Sequence, residues 1–137
     1  MHSAHLINEL INWAKQRQDI VAVAIVGSHA SGTALPDSDI DVMVLCDSPQ
    51  TLLQEQDWRA RFGTVVRTET ETWGVLKTMR TFYQGGAEVE FNLAPTSWAL
   101  VPIDSGTREV ISGGIKILHD PQGILAKAVA VVANKID

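Results

Sequence analysis

Two aspartates alternate with apolar residues near the start of an apolar segment. If residues 39–44 form a strand, Asp39 and Asp41 lie side by side on one face, and the isoleucine and valines between them point into a core. Two adjacent carboxylates repel each other unless a cation lies between them. Their hard oxygen atoms suit Mg2+, which also binds substrate phosphates. The pair therefore predicts a magnesium site at which a phosphate-bearing substrate binds.

A glycine and a serine precede the aspartates, at the end of another apolar segment. Residues 20–26 are all apolar and rich in β-branched side chains, which predicts a strand buried on both faces. Gly27 then lets the backbone approach a phosphate closely, and the amide groups after it can face that phosphate. The turn at Gly27-Ser28 therefore supplies the second half of a phosphate site.

Together these residues resemble the signature of the nucleotidyltransferase superfamily. That signature is an apolar strand ending in Gly-Ser, followed about ten residues later by aspartates that alternate with apolar residues. Here it reads Gly27-Ser28 and then Asp39-Ile40-Asp41-Val42. The similarity covers residues 21–95 and is greatest to minimal and antibiotic-adenylyltransferase-like catalytic domains, which have a DNA polymerase beta-like fold. The resemblance implies an α/β fold of the α+β type, with a mixed β-sheet and helices packed mainly on one face.

The resemblance also implies a reaction. A nucleotidyltransferase would move a nucleoside monophosphate, with AMP from ATP as the first candidate, onto a hydroxyl of a small molecule or protein and release pyrophosphate. Two Mg2+ ions would be held mainly by Asp39 and Asp41, and Gly27 and Ser28 would contact the outer phosphates of the nucleoside triphosphate. Ser28 could instead only cap the helix that follows it. The alternative function is a nucleotide-binding regulatory or antitoxin-like partner protein with little or no catalysis.

The superfamily has a third acidic residue on a later strand, between apolar neighbours. Val89-Glu90-Phe91 matches that pattern best, and Glu90 is therefore expected to complete the metal site or to accept the proton of the acceptor hydroxyl. Glu88 lies on the same predicted face and is the alternative ligand. Both glutamates could also do no more than solvate one face of a hairpin.

A hairpin is predicted to position these glutamates. Strands over residues 75–83 and 87–93 flank Gly85-Gly86, which is a favoured two-residue loop. This register pairs Thr81 with Glu90 and places Lys77 on the same face, where it could contact a phosphate or simply be an exposed lysine. The same register points Arg80 toward the core, which fits poorly. A bulge or a different loop length would resolve that conflict.

The remaining elements follow from periodicity and from helix breakers. We predict helices over residues 5–18, 49–62, 107–111 and 121–136, a short helix or turn between Ser28 and Pro36-Asp37, an edge strand over 64–72 and a last strand over 115–118. The helix over 121–136 is apolar around much of its circumference. A homodimer or a helical partner protein could cover the surplus, or the helix could pack on its own sheet.

Bulk composition restricts the class of protein. With 137 residues, 45% of them apolar, the chain is expected to be one nucleotidyltransferase catalytic domain over residues 1–137. A net charge of -5 makes nucleic acid an unlikely partner. Because the single cysteine, Cys46, can form no internal disulfide and no leader is recognised, we expect a cytoplasmic protein. No apolar run reaches the ~18 residues of a membrane span.

Overall fold

Two apolar segments form the centre of the sheet. The computed structural model describes residues 3–34 and 39–134. The first segment is strand β1 (Ile20–Val26), and all seven of its residues are buried, as the sequence predicts. The second is strand β2 (Ile40–Cys46), which is antiparallel to β1. The turn expected at Pro36-Asp37 lies outside the described residues.

The other strands extend the sheet on both sides of this pair. They are β3 (Val65–Trp73), β4 (Leu76–Tyr83), β5 (Glu88–Ala94) and β6 (Ile115–His119). The six strands lie in the order β3-β4-β5-β2-β1-β6. β2 and β5 are parallel, whereas the four other pairs are antiparallel. The mixed sheet expected from the resemblance is therefore confirmed.

Helices cover both faces of the sheet. They are α1 (Ser3–Gln16), α2 (Ser28–Ser31), α3 (Pro49–Gln54), α4 (Ser105–Ser112) and α5 (Ile124–Asn134), with 3-10 helices at Asp57–Phe62 and Thr96–Ala99. One core contains residues of α1, of α3 and of the first 3-10 helix; the other contains residues of α4 and α5. The α+β class is confirmed, and the helices are divided between the two faces of the sheet, since each core contains residues of different helices.

The segment over residues 49–62 forms two helices where the sequence predicts one. α3 ends at Gln54, Glu55 is extended, and a 3-10 helix begins at Asp57. In a continuous helix, the Leu52 carbonyl would accept a hydrogen bond from the backbone N–H four residues later. Instead it accepts one from the indole Nε1 of Trp58, at 2.9 Å. Trp58 then stacks on Trp13 of α1, so the break allows two aromatic residues to pack together.

The last helix packs on its own sheet. Leu125 and Ala128 are fully buried, in a core that also contains Met43 of β2. The valines at positions 129, 131 and 132 are only partly buried against that core. A partner that covers this remaining apolar surface stays a prediction. Within residues 3–34 and 39–134, no helix combines the length and the apolar character that crossing a membrane requires.

Candidate active site

The parallel pair β2–β5 brings two of the predicted carboxylates together. In its register Ile40 lies beside Val89, and Asp41 lies beside Glu90. Because neighbouring residues in register share a face of a sheet, Asp41 and Glu90 point to the same side, opposite the buried Ile40 and Val89. The sequence expectation that a later glutamate joins the aspartates thus has a structural basis in strand pairing.

Four carboxylates, those of Asp39, Asp41, Glu88 and Glu90, form an acidic cluster. Burial and interactions within the cluster raise the pKa values of two of them. Desolvation, followed by the charge of Glu90 beside it, raises the pKa of Asp41 to about 7. A hydrogen bond with Asp39 is the main cause that raises the pKa of Glu88 to about 7. The cluster therefore contains two neighbouring carboxyl pairs, Asp41 with Glu90 and Asp39 with Glu88, whose repulsion a cation would relieve.

Both glutamates belong to this cluster, and neither is a freely solvated side chain. Glu88 exposes 20% of its side chain and Glu90 exposes 23%. Glu90 is the one that lies beside Asp41 in the strand register, whereas Glu88 contacts Asp39, at the edge of the cluster. This arrangement favours Glu90 over Glu88 as the third carboxylate, and it argues against the interpretation that both only solvate a hairpin.

The β4–β5 register differs by one residue from the register that the sequence predicts. The loop contains three residues, Gln84 to Gly86, and it is closed by a hydrogen bond from the Tyr83 N–H to the Ala87 carbonyl at 2.8 Å. Arg80, not Thr81, therefore lies opposite Glu90. A shift of one residue moves every side chain of a strand to the other face.

This shift exchanges the positions of Lys77 and Arg80. Lys77 lies opposite Leu93 and shares a face with the buried Met79, two residues later, so the prediction that it shares the face of Glu90 is wrong. A phosphate contact from Lys77 loses its basis. Arg80 points to the acidic cluster, with Nε 3.5 Å from Oε2 of Glu88 and Nη2 3.5 Å from Oε2 of Glu90. The poor fit of Arg80 to a core position was the sequence signal for a longer loop.

Gly27 is required where the backbone meets Asp41. Its φ of 76° and ψ of -148° lie in a region that glycine alone adopts readily. A Cβ atom on Gly27 would stand 2.9 Å from Oδ2 of Asp41. Gly27 is also the N-cap of α2, and no side-chain hydrogen bond caps this helix. Ser28 is therefore the first helical residue and not the cap, which removes the alternative explanation for that serine.

We expect Gly27→Ala to damage the site more than it damages the fold. Backbone strain should cost about 1 to 3 kcal/mol of unfolding free energy, and the new methyl group should push the Asp41 carboxylate aside. The control is Gly32→Ala, because Gly32 also has a positive φ of 81° but a Cβ added there would meet no atom within 4 Å. Chemical denaturation should show similar losses for both variants, and only Gly27→Ala should lose metal-dependent nucleotide binding. Equal binding by both would contradict this role.

The donor atoms of the cluster fit a hard divalent cation. No three carboxylate, imidazole or thiolate groups converge on one point within the described part of the chain. The chemistry nevertheless suits Mg2+, because Asp39, Asp41 and Glu90 offer only oxygen atoms. The pKa of Asp41 is raised first by burial and then by repulsion from Glu90, and a cation would relieve that repulsion.

A comparison of sequences places the first half of the site in a known family. Residues 7–82, more than half of the chain, match the family described as "Nucleotidyltransferase domain". The chain belongs to this family. The matched region contains Gly27, Ser28, Asp39 and Asp41, but it ends before the two glutamates. In this nucleotidyltransferase domain, the choice of Glu90 as the third carboxylate therefore rests on the β2–β5 pairing and not on the family match.

Two solved structures to which this chain is similar belong to longer proteins. An aminoglycoside 6-adenyltransferase from Bacillus subtilis superimposes with a TM-score of 0.57 and 13% identity, over 72% of this chain and 37% of its own. A CCA-adding enzyme gives a TM-score of 0.45 and 17% identity, over 90% of this chain and 30% of its own. This nucleotidyltransferase domain thus spans 37% of the first protein and 30% of the second. No curated protein sequence was found to match it.

Proposed function

We propose that this domain transfers a nucleoside monophosphate, with AMP from ATP as the first candidate, to a hydroxyl of a small molecule or protein and releases pyrophosphate. The observation that supports this proposal is the placement of Asp41 beside Glu90 and against the Gly27 turn. A carboxylate pair next to a backbone turn without side-chain obstruction is the arrangement that a metal-bound triphosphate needs. AMP is proposed first because a protein of the same fold is an adenyltransferase.

Asp39, Asp41 and Glu90 would hold the metal, for which we propose two Mg2+ ions. When bound, the metal supplies Lewis-acid neutralisation of the charge on the phosphates. Gly27 leaves room for a phosphate oxygen above the turn, and Ser28 can donate its hydroxyl or its amide N–H to the outer phosphates. The closeness of Gly27 to Asp41 supports these proposed roles, since a Cβ atom added to Gly27 would stand 2.9 Å from Oδ2 of Asp41.

The proposed chemical step is a displacement at the α-phosphorus. The acceptor oxygen forms a bond to this phosphorus, and the bond to the oxygen that bridges to the β-phosphorus breaks. That bridging oxygen keeps the electron pair and leaves with pyrophosphate. The acceptor's proton passes to a carboxylate of the acidic cluster, and Glu90 is our candidate because it faces the site and is partly exposed to solvent.

The proposal is tested by calorimetric titration with ATP, CTP, GTP and UTP. We expect one of the four to bind in the presence of Mg2+ and to lose its affinity when a chelator is added. The binding nucleotide would then identify the donor for assays of pyrophosphate release. Failure of all four to bind with Mg2+ would contradict the proposed function. Binding of one nucleotide without any catalysis would favour the alternative, a nucleotide-binding regulatory or antitoxin-like partner protein.

The acceptor is proposed to bind with help from outside this chain. The B. subtilis protein of the same fold is much longer, and this chain covers only 37% of it. We propose that a second copy of the chain or a helical partner protein completes the acceptor site, with the partly buried valines of α5 as the contact surface. Light scattering of the purified protein should then show a dimer or a stable complex.

A further inference from the structure

Arg80 places a positive charge inside the acidic cluster. It lies opposite Glu90 in the β4–β5 pair and opposite Glu69 in the β3–β4 pair, so its side chain is on the same face as Asp41 and Glu90. The negative charge of Glu90 is the main cause that raises the pKa of the Arg80 guanidinium, and the charges of Glu88 and Asp39 raise it further. Arg80 is therefore the counter-ion of the carboxylates in the absence of a metal.

The contacts of Arg80 are long for a structural ion pair. Both of its nitrogen–oxygen distances are 3.5 Å, and its Nε is buried without a hydrogen bond to any described residue. Charge-assisted hydrogen bonds between nitrogen and oxygen are normally about 2.7 to 2.9 Å long. Arg17 in the same molecule shows such geometry, with two bonds to Asp19 at 2.9 and 2.8 Å. Arg80 is therefore held mainly by charge, with one long hydrogen bond from its Nη2 to Oε2 of Glu90 at 3.5 Å.

We propose that Arg80 is a positioning residue that holds the acidic cluster until a divalent cation replaces it, and that it then pairs with the phosphates of the bound nucleotide. This inference rests on the proposed function. A guanidinium and a divalent cation compete for the same oxygens of Glu90, and long contacts are the ones most easily given up. The released guanidinium presents a planar set of donors that matches phosphate oxygens.

The exchange has two measurable consequences. Without nucleotide, Arg80 should weaken metal binding, because the metal must displace it from Glu90. With nucleotide, Arg80 gains a new anion to pair with, so metal and nucleotide should each strengthen the binding of the other. The affinity for metal and its coupling to nucleotide therefore both depend on one side chain that is not itself a metal ligand.

The test compares Arg80→Gln with Arg67→Gln, using Mn2+ as the probe because it accepts the same oxygen ligands as Mg2+. Arg67 is a matched control on the neighbouring strand: it lies over the ring of Phe82 and its side chain is 61% exposed. Calorimetry without nucleotide should show about tenfold tighter Mn2+ binding by Arg80→Gln and wild-type affinity for Arg67→Gln. The coupling between Mn2+ and nucleotide should be lost in Arg80→Gln alone.

Unchanged or weaker Mn2+ binding by Arg80→Gln would overturn the proposal. If Arg80→Gln does not fold, Arg80→Lys keeps the charge without the planar donors: it should bind Mn2+ as the wild type does and lose most of the coupling. Full coupling in Arg80→Lys would also overturn it. Failure of the proposed function is distinguishable, because Arg80→Gln would then bind Mn2+ more tightly although no nucleoside triphosphate yields pyrophosphate in the wild type.

Discussion

Asp41→Asn should lower metal-dependent turnover by about 10^3-fold or more while the protein remains folded. Asp41 is the carboxylate at the centre of the cluster, since it lies beside Glu90 and against Gly27. An amide keeps the shape of the side chain but removes the charge that a cation needs. Pyrophosphate release should be measured alongside circular dichroism. A variant that unfolds, or one that keeps full activity, would contradict the assignment.

The same substitution should stabilise the metal-free protein at high pH. The pKa of Asp41 is raised from its ordinary 3.8 to about 7 in the folded state. The folded state therefore binds this proton more tightly than the unfolded state does, so stability is highest at low pH and is lost as the pH rises through 7. After allowance for solvent screening, we expect a loss on the order of 1 kcal/mol, or several degrees in Tm.

Thermal melts at pH 5 and pH 8 in the presence of chelator test this expectation. Asp41→Asn should melt above the wild type at pH 8, and this advantage should be clearly smaller at pH 5, because most of the loss accumulates between pH 5 and pH 7. Asp47→Asn is the control, because Asp47 is an exposed aspartate that directly follows the same strand. An equal gain for both variants at pH 8 would show that net charge, and not the Asp41–Glu90 pair, is responsible.

Glu90→Gln should lower turnover by about 10^2 to 10^4-fold, and Glu88→Gln should retain most of the wild-type rate. The difference follows from the strand register, in which Glu90 lies beside Asp41 and Glu88 lies outside that row. The two glutamines are matched in size and charge, so each variant controls for the other. A larger loss in Glu88→Gln would make Glu88 the third carboxylate. Metal titration of Glu90→Gln separates the two proposed roles of Glu90. Weaker metal binding would indicate a metal ligand, whereas unchanged metal binding with slow turnover would indicate the proton acceptor.

The half of the site that lies on one continuous segment could be predicted from the sequence. Gly27, Asp39 and Asp41 are close along the chain, and period-two alternation alone places both aspartates on one face. β1 and β2 were predictable as well, since short apolar segments of this length are typical of buried strands. The requirement for glycine at position 27 also has a clear cause, which is the approach of Asp41.

The half of the site that depends on a hairpin register was less predictable. Gly85-Gly86 fits a two-residue loop, and no local rule favours the three-residue loop that is closed by Tyr83 and Ala87. One residue of loop length decided whether Lys77 or Arg80 faces the carboxylates. The end of helix α3 at Gln54 could not be predicted either, because it depends on the hydrogen bond that the Trp58 indole donates to the Leu52 carbonyl.

The parallel pairing of β2 and β5 ties the chemistry to the completion of folding. These strands meet across a separation of about 50 residues, whereas β3, β4 and β5 follow one another through short turns. Closing such a long loop costs more chain entropy than closing a hairpin, and here it also brings carboxylates together. The contact between β2 and β5 is thus nonlocal, and dissolved divalent cations should favour it by relieving the repulsion between the carboxylates. A chain that has folded only its local hairpins would contain every active-site residue and have no active site.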